Sequence, residues 1–190
     1  MPTRGSEPDR EYFDRLRIVP ADGVVGPGLA RLHGEAEPRV SVASLSPSRP
    51  DRLLLVLKYD CADHFHYLSV GVRRLSPGWE QELSFRLART EDGEPPDWPV
   101  RLIARYASHL SRAGLSLAAG SYVRLAEFAD PQSRWRSFAL APDPRLSATH
   151  LAILALEDEE LSRWADDDGW RAAAARIAQR SPLWIAGERL

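Results

Sequence analysis

The stretch from Leu53 to Ala88 constrains the fold more than any other part of the chain. Leu53 to Tyr59 is a nearly unbroken apolar run, the pattern of a strand buried on both faces. His66 to Arg73 alternates, with Tyr67, Val70 and Val72 set among smaller or polar neighbours. Trp79 to Ala88 alternates more strictly: Leu83, Phe85 and Leu87 point one way, Glu82, Ser84 and Arg86 the other. Ser76-Pro77-Gly78 supplies a turn between the second and third runs.

Helical periodicity follows. Glu94-Pro95-Pro96-Asp97-Trp98-Pro99 ends the strand, and Pro99 suits a first helical position. Val100, Ile103, Ala104, Ala107 and Leu110 then recur at helical spacing until Gly114 stops them. Ser121–Leu125, Trp135–Leu140 and Thr149–Leu156 read as further strands, and Leu183–Ala186 as a short last one. Glu157–Trp164 and Asp168–Gln179 read as helices with acidic residues in their first turns, where the helix dipole favours them. Before Leu53 the pattern is weaker. Glu11–Ile18 reads as a short helix, Pro20–Gly28 as a turn-rich stretch, Leu29–His33 as a turn of helix and Pro47–Asp51 as a loop.

Strands cluster between helices without strict βα alternation. The expectation is an α+β fold, a mixed and largely antiparallel sheet packed with helices. Residues 1–10 are expected to be a flexible N-terminus and 11–190 a single domain, which a chain of 190 residues accommodates.

Composition removes whole classes of function. A net charge of -2 argues against a nucleic-acid partner, which calls for a basic face. No run approaches the roughly 20 apolar residues of a membrane span, so no membrane partner is expected. The first residues, MPTRGSEPDREYF, hold no apolar signal core. One cysteine, Cys61, rules out an internal disulfide and fits a reducing compartment, so the expected location is cytoplasmic. There is no G-x-G-x-x-G and no phosphate loop, and no cofactor is expected.

Four constellations carry potential chemistry, each beside a plainer reading. Cys61, His64 and His66 lie within six residues, and the two histidines at i, i+2 on a strand share a face, so a zinc ion is one reading. The plainer one is a strand edge whose imidazoles bond backbone or stack on a ring, because no second ligand pair follows and His33, His109 and His150 stand alone. The runs Glu157–Glu160 and Asp166-Asp167-Asp168 read as helix capping and a solvated face, or as an acidic patch that steers a basic partner. Glu82, Ser84 and Arg86 form a polar ladder without the surroundings of a nucleophile. If that ladder is covered, the carboxylate needs a cation, and Arg86 in a neighbouring register is the natural one. The six tryptophans suit core and docking roles, with one or two left as interface anchors. Trp79, Glu82, Arg86, Asp166, Asp167 and Asp168 are the candidate partner-binding residues. No catalytic residue is assigned.

The order of segments resembles the suppressor of fused family. His64-Phe-His66-Tyr67-Leu-Ser-Val-Gly71 is similar to that family's HWHYISFG strand. Pro77-Gly78-Trp-Glu-Gln-Glu82-Leu-Ser-Phe85-Arg86-Leu87 is similar to GFGFELTFRL. Pro95-Pro96-Asp-Trp98-Pro99, with Ala104-Arg-Tyr106 beyond, resembles PPTWP…LARYV. Ala119–Tyr122 stands where the family has an SGDHV-like start of a strand, and Phe138–Leu146, with Asp143 and Pro144, resembles LLTEDPQM. Glu159-Glu-Leu161, Trp164 and Pro182-Leu-Trp-Ile185 resemble the EEL…W…PWLIT ending.

This resemblance implies a fold like the family's N-terminal domain and a scaffold that binds proteins without catalytic residues. In animals the family restrains zinc-finger transcription factors by clamping a peptide between two domains. Here the second domain is expected to be absent and the loop after the HWHY-like strand is cut to Arg73–Pro77, so no peptide-contacting position carries over. Bacterial members are proposed to be immunity proteins that neutralise toxins, and the Arg- and Ala-rich composition, with Lys58 the single lysine, is a habit of GC-rich bacterial coding. Three functions follow: an immunity-type domain with a cognate toxin as partner, a regulatory domain that self-associates through an edge such as Ser121–Leu125, and a metal-dependent enzyme built on Cys61, His64 and His66. The expected state is a monomer or weak homodimer.

Overall fold

A computed structural model describes residues 26–34, 36–45, 53–89, 93–124, 135–146, 149–165 and 169–187. The expected helix at Glu11–Ile18, the loop at Pro47–Asp51 and the Asp166–Asp168 run lie outside the described residues.

In chain order the elements are α1 (Gly26–His33), β1 (Arg39–Ser44), β2 (Leu53–Asp60), β3 (His64–Val70), a 3-10 turn (Val72–Arg74), β4 (Glu82–Ala88), α2 (Trp98–Ala113), β5 (Tyr122–Arg124), β6 (Ser137–Pro142), β7 (His150–Leu156), α3 (Asp158–Trp164) and α4 (Gly169–Arg180). The strands form one sheet in the order β1-β2-β3-β4-β7-β6-β5. Every pairing is antiparallel except β4 with β7, which run parallel from Glu82↔His150 to Ser84↔Ala152. Beyond that short match, the freed edge of β4 is taken by the C-terminal segment: Ala88 N–H donates to Ala186 O, and Ala186 N–H to Arg86 O. The expected α+β fold with a mixed, largely antiparallel sheet is present.

One face of the sheet lies against α2. Leu54 and Val56, Phe65 and Tyr67, and Leu83, Phe85 and Leu87 meet Leu102, Ile103, Tyr106 and Leu110 in the main core. The opposite face has two separate covers. Helix α1 seats Leu29 on Leu57, Tyr59, Leu68 and Leu146. Helices α3 and α4 seat Leu161, Trp164, Ala173 and Ala174 on Ala139, Ala141, Ala152, Leu154 and Leu156. Small alanines on β6 and β7 let these helices approach closely.

Local signals explain most boundaries. Pro99 lies in the first turn of α2, and Gly114 at φ 65° caps its end by donating to Leu110 O and Ser111 O. Glu157 and Glu160 form a reciprocal capping box at α3, whose first turn is acidic. Helix α4 is described over Gly169–Arg180, and the acidic start expected at Asp168 lies outside the described residues.

Four further expectations shift. The strand at Arg39–Ser44 was not anticipated: it is an edge strand with two valines and a mostly exposed pattern, specified by its pairing with β2. Strand β3 starts at His64 and stops at Val70, because Gly71 at φ 110° turns the chain into the 3-10 turn. Strand β4 begins at Glu82, and Trp79 precedes it as a core side chain. Leu183–Ala186 contributes one bridge residue, Ala186, in place of a strand.

Candidate functional site

Two of the four constellations, the histidine group and the Glu82–Ser84–Arg86 ladder, converge on one band of the sheet, between the two covers of its second face. Register creates it. Tyr59 pairs with His66 and His66 with Arg86 across β2, β3 and β4, so the three side chains form a ladder on one face. His64 precedes and Ser84 follows on the same face. All of them except Tyr59 are polar, and all are buried.

At the centre, Arg86 donates from Nη1 to Asp143 Oδ2 at 2.8 Å and from Nη2 to Asp143 Oδ1 at 3.0 Å. The two side chains are 2% and 0% exposed. Ser84 Oγ donates to the same carboxylate, and so do the backbone N–H groups of Arg145 and Leu146, at 2.8 and 2.9 Å. Burial pushes the Asp143 carboxyl up, but the Arg86 hydrogen bonds and charge, with Ser84 and the Arg145 N–H, outweigh it and hold the group below its usual range. Asp143 therefore neutralises Arg86 and pins the turn after β6, whose Leu146 packs under α1.

At one end of the band, Glu82 accepts from Ser69 Oγ at 2.7 Å and from the N–H groups of Gly71 and Val72 at 2.9 Å each. Burial raises its carboxyl above the usual range, against the pull of these donors. The expected Glu82–Arg86 pair is corrected here. Residues four apart on a strand are separated by about 13 Å, so they cannot meet directly. Glu82 instead anchors the 3-10 turn, with Arg73 Nε at 4.0 Å, and Arg86 takes Asp143.

At the other end lie the histidines. His33 of α1 stacks on Tyr59 at 3.8 Å between centroids, and its Nε2 lies 3.1 Å from His66 Nδ1. Its Nδ1 lies 3.9 Å from Cys61 Sγ. His64 Nδ1 bonds Asp63 Oδ1 at 2.6 Å. His150 Nδ1 lies 2.8 Å from Thr149 Oγ1. Burial, then the Arg86 charge, holds His66 well below the normal imidazole range. Burial first, with Arg86 contributing, lowers His33 and His150 to about 4 each, although Asp143 pulls His150 the other way. These rings are neutral at pH 7. The Nε2 atoms of His66 and His150 are buried without a hydrogen-bond partner among the described residues.

The chemistry available is limited. Ser84 donates to a carboxylate already held by a guanidinium, so no base activates it. Burial raises the Cys61 thiol, which disfavours the reactive thiolate. Cys61, His64 and His66 do not gather into a metal-binding set. His64 turns to Asp63 and His66 to His33, and no group of three candidate ligands occurs among the described residues.

Of the candidate partner-binding residues, Trp79 is 7% exposed and Glu82 and Arg86 are 2% each, so none offers a surface to a partner. Trp79 fills the core beside α2, Glu82 closes one end of the polar band and Arg86 sits at its centre. Asp166, Asp167 and Asp168 lie outside the described residues. None of the six tryptophans is exposed: Trp98 packs edge-on against Phe85 and tilts onto Trp135, and Trp164 donates to Gly120 O beside Trp170. The family-like positions fall into the same architecture. Tyr67 donates to Pro96 O at 2.9 Å, which ties the Pro96–Pro99 segment to β3. Gly78, at φ 83°, turns the chain ahead of Trp79. Pro144 follows Asp143 into the pinned turn.

Sequence reasoning treated His33 and His150 as isolated and left Asp143 unpartnered. The first two carry no local signal. Asp143 did have one, the Asp-Pro within the family-like block at Phe138–Leu146.

A family model described as Suppressor of fused protein (SUFU) matches residues 50–185. The fold is similar to a crystal structure described as a SUFU homolog from Neisseria gonorrhoeae FA 1090, with a TM-score of 0.63 and 13% sequence identity, covering 86% of this chain and 91% of that one. No curated protein matches the chain.

Proposed function

The chain belongs to the suppressor of fused family, and from that premise we propose that it is a non-enzymatic protein-binding domain, most concretely an immunity-type protein that binds and neutralises a toxin. The observation that supports this is the fate of the polar residues in the family-like blocks. Glu82, Ser84, Arg86 and Asp143 spend their hydrogen bonds on one another and on the backbone. Such a band specifies and rigidifies a fold. It leaves the chemistry of function to surfaces that bind. The proposed setting is the cytoplasm, and no helix among the described residues is long and apolar enough to cross a membrane.

Co-purification of the tagged full chain from its source cell tests the reading. A specific protein partner, with a toxin gene adjacent to its own, is the expected result. Recovery of no partner, together with neighbouring genes that encode no toxin, would sink it.

A second reading is self-association. Strands β1 and β5 end the sheet among the described residues, and Tyr122 on β5 is exposed. Edges of this kind pair with further strands. Light scattering across a concentration series checks it, and a mass that stays monomeric throughout removes it.

A further inference from the structure

Helix α1 covers the histidine end of the polar band through a small seat. Of its described side chains, Leu29 is buried, on Leu57, Tyr59, Leu68 and Leu146, while Leu32 and His33 are half-buried. Eight residues make two turns of helix, too short to persist without packing. His33 supplies the polar part of the seat: its ring stacks on Tyr59 and its Nε2 meets His66 Nδ1 at 3.1 Å. Gly34 follows at φ 60°, so the chain leaves α1 through a residue that turns freely. The neighbouring titratable and charged groups come from every side. Strand β2 brings Tyr59, Asp60 and Cys61, β3 brings His64 with Asp63 before it, β4 brings Arg86 with Arg89 beyond it, and the β6–β7 turn brings Asp143, Arg145 and His150. Arg31 and Arg145 are exposed. The carboxylates are already engaged, Asp60 by Arg39, Asp63 by His64 and Asp143 by Arg86.

We propose that the His33–His66 contact is an acid-sensitive latch, which holds α1 on the sheet while both rings are neutral and lets α1 lift from a still-folded sheet as the pH falls. This response is independent of the protein-binding reading. The contact works with one proton between the two facing nitrogens. One more proton keeps the bond but sets a cation near the buried Arg86, with no uncommitted carboxylate beside it among the described residues. A further proton turns both nitrogens into donors that face each other. Stacking on Tyr59 favours a charged His33 ring, but burial and then the Arg86 charge outweigh it and lower the ring to about 4. Burial and Arg86 lower His66 as well. Lifting α1 returns His33 to water and opens the Nδ1 side of His66, so the open form takes protons that the closed form resists. Closure is therefore complete above the ordinary imidazole value of 6.5 and is lost as pH falls from there toward 4. One proton moves the open-to-closed ratio about tenfold per pH unit in that window, about 300-fold in all for a ring lowered from 6.5 to about 4. Two protons move it up to about a hundredfold per unit. The main core lies on the opposite face and makes no use of this contact, so β3 and β4 stay paired when α1 lifts. The opened face carries Leu57, Tyr59, Leu68 and Leu146 into water.

Hydrogen exchange of the full chain between pH 7 and pH 4.5 tests the latch, with each rate divided by the intrinsic exchange rate at that pH so that only structural protection remains. The amides of residues 31–33, which the helix protects, report on α1, and those of β3 and β4 report on the sheet. Protection of α1 is expected to be present at pH 7 and to fall at least about tenfold per pH unit below about 6, while β3 and β4 stay protected at least about tenfold better than α1. His33→Gln keeps a hydrogen-bonding side chain without a titrating ring. In that variant the pH slope of α1 protection is expected to drop by about one proton, a tenfold smaller change per unit. If H33Q leaves α1 unprotected even at pH 7, H33F, which keeps a ring on Tyr59, carries the test with the same drop expected. An α1 that is unprotected at pH 7 in the wild-type chain overturns the proposal. So does α1 protection that stays constant down to pH 4.5, or that is lost only together with β3 and β4. A slope in the variants equal to that of the wild type overturns it too, because acid then releases α1 through some other group.

Discussion

Replacing Asp143 with alanine deletes the sole acceptor of the Arg86 guanidinium hydrogen bonds among the described residues. It leaves a cation that is 2% exposed without a counter-charge. It also releases Ser84 Oγ and the N–H groups of Arg145 and Leu146. Breaking a buried pair on one side costs about 3–5 kcal/mol. Arg86→Met is less damaging, because the Asp143 carboxylate keeps three donors after the guanidinium leaves; about 2–3 kcal/mol is expected. Replacing both, as Arg86→Met with Asp143→Leu, removes both charges and is expected to recover most of the loss, since buried pairs often exchange for apolar residues at little cost. Urea unfolding at pH 7, followed by tryptophan fluorescence, reads all three. With a slope of about 2 kcal/mol per molar, Asp143→Ala moves the midpoint down by roughly 1.5–2.5 M. A shift under about 0.5 M refutes the reasoning. Equally damaging would be a double variant whose loss equals the sum of the singles, because that means the two groups do not interact.

Stability is expected to fall as pH drops from about 6.5 to about 4. His33, His66 and His150 are held neutral in the fold below their unfolded values, so the unfolded chain binds more protons across that window and acid favours it. The depressed Asp143 acts below that window, its contribution being lost as pH falls under about 4. His150→Gln should flatten the upper window by up to one proton, about 1.4 kcal/mol per pH unit, and a wild-type profile flat from pH 7 to 4 would contradict the burial of these rings. Glu82→Ala removes the acceptor of Ser69 and of the Gly71 and Val72 N–H groups; a loss of about 2–4 kcal/mol is expected, and an unchanged urea midpoint would show that the 3-10 turn does not depend on it. Gly120→Ala places a Cβ 2.9 Å from Trp170 Nε1 at φ 91°, so about 1–3 kcal/mol should be lost with a shift in tryptophan emission, and a variant as stable as wild type would refute the close packing there.

Much of the fold was legible because its strongest elements are locally consistent. Leu53–Tyr59, the stripe ending at Gly114 and the capping box at Glu157 each carry their own signal. Strand β1 does not. Arg-Val-Ser-Val-Ala-Ser has no apolar run, and partner pairing decides its state. The polar face of β3 and β4 misleads in another way. His64, His66, Ser84 and Arg86 follow the alternation of a solvent-facing surface, yet all are buried, and each has a side-chain hydrogen-bond partner inside the fold. Their partners lie far along the chain, His33 at a separation of 33 residues and Asp143 at 57, and no local pattern announces contacts over such distances. Of the candidate interface residues, Glu82 and Arg86 are buried in this band and Trp79 in the main core.

The parallel junction between β4 and β7 bears on how the chain folds. Strands β1 to β4 meet their neighbours in sequence order, and β5 to β7 do the same, so each half assembles through local antiparallel pairing. Among the described residues the halves join across three residue pairs, the Glu82 N–H to Thr149 O bond and the hydrogen bonds of Ser84 and Arg86 to Asp143. Closing that long loop is the entropically slow event, since the chain must lose its freedom before these contacts compensate. The junction is thus the natural place for the folding barrier. Changes at Ser84, Arg86 or Asp143 then slow folding, whereas changes in the outer strands mainly hasten unfolding.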